Sequence, residues 1–289
     1  MDCLSSTYRL EQYSDARIQQ VVNVCCDPSR TCLSSNGNSK VVRAGNIAIK
    51  FGRVTNEEVA GQLHARELLD PAIVRVPQIY SYFSFNGEDY VVMEFVDGAK
   101  QETIEDDETV VKVGRIVSHL HTFTRYAPGP VNMGRCMGPL WSEDERMSFT
   151  STQSLETYVN SRLVRQTGMF SISDTPMVFT HGDIAPRNLL FAVSGIWLLD
   201  WEFAGYFPRS AEIATFRLDA GKRASDVPFY DRLEATILQR NPLTLAESAQ
   251  VACWQELALN HLRFYFPTDQ EKAAVKKRRR KLNGILAQP

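Results

Sequence analysis

The run His181-Gly182-Asp183-Ile184-Ala185-Pro186-Arg187-Asn188 sets a carboxylate and an amide five residues apart, and Leu198-Leu199-Asp200-Trp201-Glu202 adds a second carboxylate soon after. Short apolar runs at 177–180, 188–192 and 196–199 bracket this most polar stretch of the chain. Runs of that length between turn signals read as strands. An Asp and an Asn five apart occur in many solvated loops, so the spacing alone says little. Combined with the preceding His-Gly and the following Leu-Leu-Asp-Trp, it calls for a polar loop built into a strand framework.

The rest of the chain divides unevenly around that loop. Residues 41–51 (VVRAGNIAIKF) hold two β-rich runs split by Ala44-Gly45-Asn46, the chemistry of a tight hairpin turn, and the polar cluster 34–39 upstream reads as another turn. Residues 24–51 are therefore expected to form three antiparallel strands. From 56 to 69 the apolar residues Val59, Ala60, Leu63 and Leu68 fall near helical spacing, with Glu57 and Glu58 in the first turn, where carboxylates suit the helix dipole. Strands are expected around 78–85 and 90–95, joined through Asn86-Gly87. Beyond Asp97-Gly98 helical patterns dominate, at 109–123, 155–166 and three or four times within 210–281. The fold class expected is α+β: a small antiparallel β-rich lobe, residues 1–96, and a larger mainly helical lobe, residues 97–289, with a ligand cleft between them.

Phosphoryl transfer from ATP needs one carboxylate to accept or orient the acceptor hydroxyl, and an Asn with a second carboxylate to hold the metal ions that bridge the phosphates. Asp183, Asn188 and Asp200 supply that set, and the protein-kinase template spaces its Asp and Asn by the same five residues. With His-Gly-Asp in place of His-Arg-Asp and a later Leu-Asp-Trp-Glu, the chain resembles the aminoglycoside phosphotransferase and choline kinase-like branch of the protein kinase-like fold. The resemblance runs from Ile47-Ala48-Ile49-Lys50 to about Glu212, and the remaining C-terminal residues match only as generic helices. It implies a bilobal fold, ATP and Mg2+ as cofactors, Asp183 as the catalytic residue, and Asn188 and Asp200 as metal ligands. Lys50 corresponds to the lysine that contacts the phosphates and needs a carboxylate partner. Glu58 is the first choice, Glu57 the next and Glu67 the third, because helix phase is not fixed to one residue. Residues 91–98 (VVMEFVDG) resemble the interlobe hinge, which implies that the Glu94 carbonyl and the Val96 amide meet the adenine edge while Met93 lines the pocket behind it. The phosphate-covering loop at 34–39 has one glycine, Gly37, and the chain contains neither G-x-G-x-x-G nor G-x-x-x-x-G-K-[ST].

Other features narrow the partners. At 289 residues, 44% apolar and 23% charged, the chain has the composition of a globular protein, and its net charge of −2 gives no global pull toward nucleic acid or anionic membrane. Nucleic acid is not expected as a partner despite the cations Lys276-Lys277-Arg278-Arg279-Arg280-Lys281, which read as a solvated helix end. Six cysteines without C-x-x-C spacing point to a reducing compartment. No run is long and apolar enough to span a bilayer, and the first residues lack a secretory pattern, so a cytoplasmic location is expected. His119 and His121 lie two apart, do not share a helix face, and read as structural. The expected acceptor is a small hydroxylated molecule. The acidic runs 105–108 and 143–145 are candidates for a surface that would hold a polyamine acceptor. Two alternatives stay open: a pseudokinase that binds nucleotide or ligand without catalysis, and a protein kinase, although no A-P-E-like segment follows Glu202.

Overall fold

The computed structural model describes residues 10–36, 39–142, 145–164, 168–172, 175–266 and 271. Helix α1 (Asp15–Cys26) precedes β1 (Cys32–Asn36), β2 (Ser39–Ala44) and β3 (Ile47–Gly52); α2 (Asn56–Leu68) then leads to β4 (Ile79–Phe85) and β5 (Glu88–Glu94). The five strands form an antiparallel sheet in the order β1-β2-β3-β5-β4. Both hairpins expected from Gly45-Asn46 and Asn86-Gly87 are present. Asn86 and Gly87 take φ of 51° and 82°, the left-handed pair a two-residue turn requires.

Alternation along the strands assigns each face of the sheet to a helix. Tyr90 and Val92 of β5 pack with Ile49, Val42 and Val21 of α1, whereas Val91 packs with Val59 and Leu63 of α2. Because successive strand residues point to opposite faces, Ile49 toward α1 fixes Lys50 toward α2. Residues 24–26, expected to begin a strand, close α1 instead. Val24 favours a strand locally, but packing of Val21, Val22 and Val24 against the sheet outweighs that preference.

The C-terminal part is mainly helical. In chain order it contains β6 (Ala99–Lys100), α3 (Asp107–Leu120), β7 (Thr124–Arg125), β8 (Gly129–Pro130), α4 (Thr152–Arg162), β9 (Met177–Thr180), β10 (Leu189–Ala192), β11 (Gly195–Leu198), β12 (Gly205–Pro208), α5 (Arg209–Ala220), α6 (Val227–Arg240) and α7 (Leu245–Arg263). Two small sheets, β11-β10-β6 and β7-β9-β12-β8, carry the polar motifs. Four of their strands, β6, β7, β8 and β12, escape sequence reading because pieces of two to four residues hold too little alternation. The largest core cluster surrounds Trp201, Trp254, Phe179 and Phe216, all essentially sealed from solvent.

The first turn of α3 explains the acidic run at 105–108. Asp106 caps the helix through the Glu108 and Thr109 amides, Asp107 pairs with Arg232 at 3.0 Å, and Glu108 with Lys112 at 2.7 Å. Positions 143 and 144, Gly37 and the run 276–281 lie outside the described residues. His119 accepts the Asp70 amide at 3.1 Å, a structural role. Among the described residues no helix is long and apolar enough to cross a membrane.

Helix α2 is pressed onto the C-terminal part at Gly61, where a Cβ would stand 2.7 Å from the Trp201 carbonyl oxygen. Gly61→Ala must separate these backbones, and overpacking of this kind costs about 1–3 kcal/mol. Urea denaturation of the variant should show a loss of that size.

Candidate active site

The loop between β9 and β10 is held by its own first residues. His181, fully buried, sets Nε2 3.0 Å from the Leu199 carbonyl, and its Nδ1 accepts the Asp183 amide at 3.2 Å. These contacts select the neutral tautomer with the proton on Nε2, and burial depresses the His181 pKa to about 4. The Glu212 carboxylate on α5 takes the amides of His181 at 2.8 Å and Gly182 at 3.0 Å. Burial raises the pKa of this 1%-exposed acid to about 7, against the pull of the two amides. Gly182 has φ of 79°, and a Cβ there would meet the Phe203 carbonyl oxygen at 2.9 Å.

After Ala185 the chain makes a single 3-10 turn, Pro186–Asn188, which folds positions 187 and 188 back over Asp183. Asn188 Nδ2 donates to the Asp183 carbonyl at 2.9 Å and to its Oδ2 at 2.7 Å, which leaves the Asn188 Oδ1 as an oxygen donor for another partner. Arg187 Nη2 donates to Asp183 Oδ1. The Asp183 pKa is pushed up to about 7, chiefly by burial, with Arg187 opposing and Asp219 and Asp200 adding to the rise.

Pairing of β10 with β11 closes the distance between the two motifs. Leu189 lies opposite Leu198, and the Leu199 amide donates to the Asn188 carbonyl at 2.9 Å. Asp200 follows with φ of 66°. Its Oδ1 accepts Lys50 Nζ at 3.0 Å, and the same ammonium donates to Glu58 Oε1 at 2.5 Å. Burial disfavours the Lys50 charge, but Glu58 and Asp200 outweigh it and raise its pKa, so the side chain is a cation. Asp200 in turn is held below the ordinary carboxylate range, because Lys50 overcomes the effect of burial.

Lys50, Glu58, Asn188 and Asp200 line one cleft of about 1460 Å³ together with Met93, Glu94 and Val96. The Glu94 amide donates to the Gln78 carbonyl at 2.8 Å and the Phe95 amide to the Asn46 carbonyl at 3.1 Å, while the Val96 amide has no partner among the described residues. Glu94 turns its carboxylate to the Gln78 amide, and Gln62 of α2 braces Met93 at 3.7 Å and the Pro77 carbonyl at 2.9 Å. Ser34 and Ser39 reach the cleft from the far edge of the sheet.

Of the three glutamates considered for Lys50, Glu58 makes the contact. Glu57 accepts the Arg135 amide at 2.9 Å instead, and Glu67 is exposed. Sequence reading missed Glu212, Arg187 and the direct Lys50–Asp200 bond. A lone carboxylate inside the apolar helical run 210–216 was the available signal for Glu212. The acidic run 105–108 is absent from the cleft wall, and Glu145 is bound to Arg162 at 2.6 Å and to Tyr158 at 2.8 Å.

Residues 41–247 match the phosphotransferase enzyme family APH, which extends the resemblance past Glu212 into α7. No curated protein matches the chain. Similar solved structures include a thermostable mutant of aminoglycoside phosphotransferase APH(4)-Ia in ternary complex with AMP-PNP and hygromycin B (12% identity, 86% of this chain and 89% of that chain, TM-score 0.55). A putative fructosamine-3-kinase from Haemophilus somnus 129PT has 12% identity over 86% of this chain and 91% of that chain, with a TM-score of 0.54. Amicoumacin kinase hAmiN, in complex with AMP-PNP, Ca2+ and Ami, has 14% identity over 93% of each chain and a TM-score of 0.52. These likenesses establish a protein kinase-like fold.

Protonating His181 would set an N–H against the Asp183 amide. A histidine whose folded pKa of about 4 lies below its unfolded value near 6.5 stabilises the fold fully above pH 6.5, and that contribution is lost as pH falls toward 4. The loss amounts to at most about 3 kcal/mol. Chemical denaturation should therefore show the stability gap between wild type and His181→Leu narrowing from pH 7 to pH 4.5.

Proposed function

The chain belongs to the phosphotransferase enzyme family, and from that premise we propose that it transfers the γ-phosphate of ATP, with Mg2+, to a hydroxyl of a small molecule. The observation that carries this reading is that Asn188 and Asp200 line a cleft in which Lys50 meets Asp200, while Asp183 lies buried directly beneath, bonded to Asn188. In this reading residues 1–96 hold the nucleotide and residues 97–289 hold the metal and the acceptor.

The donor set suits a hard cation. Asn188 keeps Oδ1 and Asp200 keeps Oδ2 outside the hydrogen bonds described, and Mg2+ prefers a few protein oxygens supplemented by phosphate and water. When bound, Mg2+ neutralises charge on the phosphates. Lys50, fixed by Glu58, directs its remaining donor at the α- and β-phosphates. The Glu94 carbonyl and the free Val96 amide offer one acceptor and one donor to adenine, with Met93 behind the ring. Asp183, held at both oxygens, orients the acceptor hydroxyl and takes its proton as the new P–O bond forms and ADP leaves. A pKa near 7 lets the buried carboxylate serve as a general base at neutral pH.

The pseudokinase alternative has less support, because the Lys50–Glu58 pair and the Asp183, Asn188 and Asp200 set are all in place. No observation favours a protein acceptor. A panel of hydroxylated small molecules, scored for Mg-ATP consumption above the background hydrolysis, tests the reading.

Two outcomes are expected with the acceptor so found. Asp183→Asn should lower kcat by about 100-fold or more while Mg-AMP-PNP affinity by calorimetry stays within about twofold. Lys50→Ala and Glu58→Ala should each lower kcat/KM, and the double variant should be little worse than Lys50→Ala alone, since partners in one ion pair do not contribute independently. Full additivity would detach Glu58 from the phosphate-contacting lysine.

A further inference from the structure

We propose that Arg187 is a positioning residue for the transfer, acting through Asp183; the inference rests on the phosphotransferase reading and adds to it a residue that the motif spacing does not require. The 3-10 turn begun by Pro186 brings positions 187 and 188 back over Asp183 together, so each of its carboxylate oxygens is gripped by a different side chain. Arg187 takes Oδ1, and Asn188 takes Oδ2 at 2.7 Å. Asn188 spends its one contacting Nδ2 on both the Asp183 carbonyl at 2.9 Å and Oδ2, and does not reach Oδ1. Arg187 supplies the donor to Oδ1, so the carboxylate is held at both oxygens.

Rival tasks for Arg187 would be to neutralise Asp219 or Asp200, the other acids whose charge it meets; Asp200 already has Lys50 at 3.0 Å. Asp219 already has its own cation, Lys222, at 2.5 Å. Arg187 is therefore committed to Asp183. Its side chain is 38% exposed and lines the cleft, whereas that of Asp183 is 9% exposed, so the arginine stands between the buried carboxylate and the open cleft. A guanidinium carries five N–H donors, one of which is used on Asp183 Oδ1, and its planar fork holds a carboxylate more rigidly than an ammonium does.

Arg187→Gln and Arg187→Lys separate positioning from folding. Binding of Mg-AMP-PNP, measured by calorimetry, should stay within about twofold of wild type in both variants, because the Arg187 hydrogen bond goes to Asp183 and none goes to Asn188 or Asp200. The kcat for Mg-ATP turnover, with the acceptor from the panel or with water where none is found, should fall about 10- to 100-fold in Arg187→Gln. Arg187→Lys should recover part of that loss. An unchanged kcat in Arg187→Gln, a parallel loss of nucleotide affinity, or an Arg187→Lys variant no better than Arg187→Gln would each overturn the assignment. Wild-type protein that neither binds Mg-AMP-PNP nor turns over ATP would instead remove the phosphotransferase reading.

Discussion

The Lys50 ammonium joins three pieces of chain in one polar contact. It extends from the middle of β3, takes Glu58 from the first turn of α2, and reaches Asp200, 150 residues away in sequence. Burying an ion is costly unless it is paired, and here two carboxylates share one cation. The arrangement persists because each partner is already fixed by other means. Strand alternation aims Lys50 at α2, the Thr55 hydroxyl caps that helix by accepting the Glu58 amide, and the β10–β11 pairing delivers Asp200. Removing any one of these supports would leave a charge without its counterpart.

A second constraint lies below the first. The loop 181–188 is tied to α5 by one carboxylate, Glu212, which accepts two consecutive amides. Those amides point at one acceptor because Gly182 adopts a positive φ and because nothing larger than hydrogen fits beside Phe203. The His181 ring then ties the same loop to Leu199. Two motifs separated in sequence thus become one rigid floor, and Asp183 is oriented before any ligand arrives. Preorganisation of this kind lowers the cost of reaching a reactive geometry.

What could be read from the residues followed the range of each interaction. The hairpins at Gly45-Asn46 and Asn86-Gly87, the helix behind Glu57-Glu58 and the strands flanking His181 are written in local chemistry, and they match the observed elements within a few residues. The Lys50–Glu58 contact was foreseeable only as a choice among three acids, because helix phase depends on how α2 seats against β4 and β5. Helix α1 was missed, since its valines favour strand locally and only the sheet surface makes them helical. The Glu212 anchor spans 30 residues to Gly182 and has no motif of its own. Short strands such as β6 and β8 exist through their neighbours alone.

The backbone at Asp200 has one further consequence. Its φ of 66° lies in the left-handed region, which most side chains avoid and which Asp, Asn and Gly tolerate best. Position 200 is therefore selected twice, once for a carboxylate that meets Lys50 and once for a residue that can turn the chain there. Chemistry and conformation draw on almost the same short alphabet. Charge and shape can be separated at this position by asparagine, which keeps the turn and discards the charge, whereas a β-branched residue would lose both at once. Any lineage that abandoned catalysis while keeping the fold would have a narrow route through this residue, and asparagine or glycine at position 200 would be its mark.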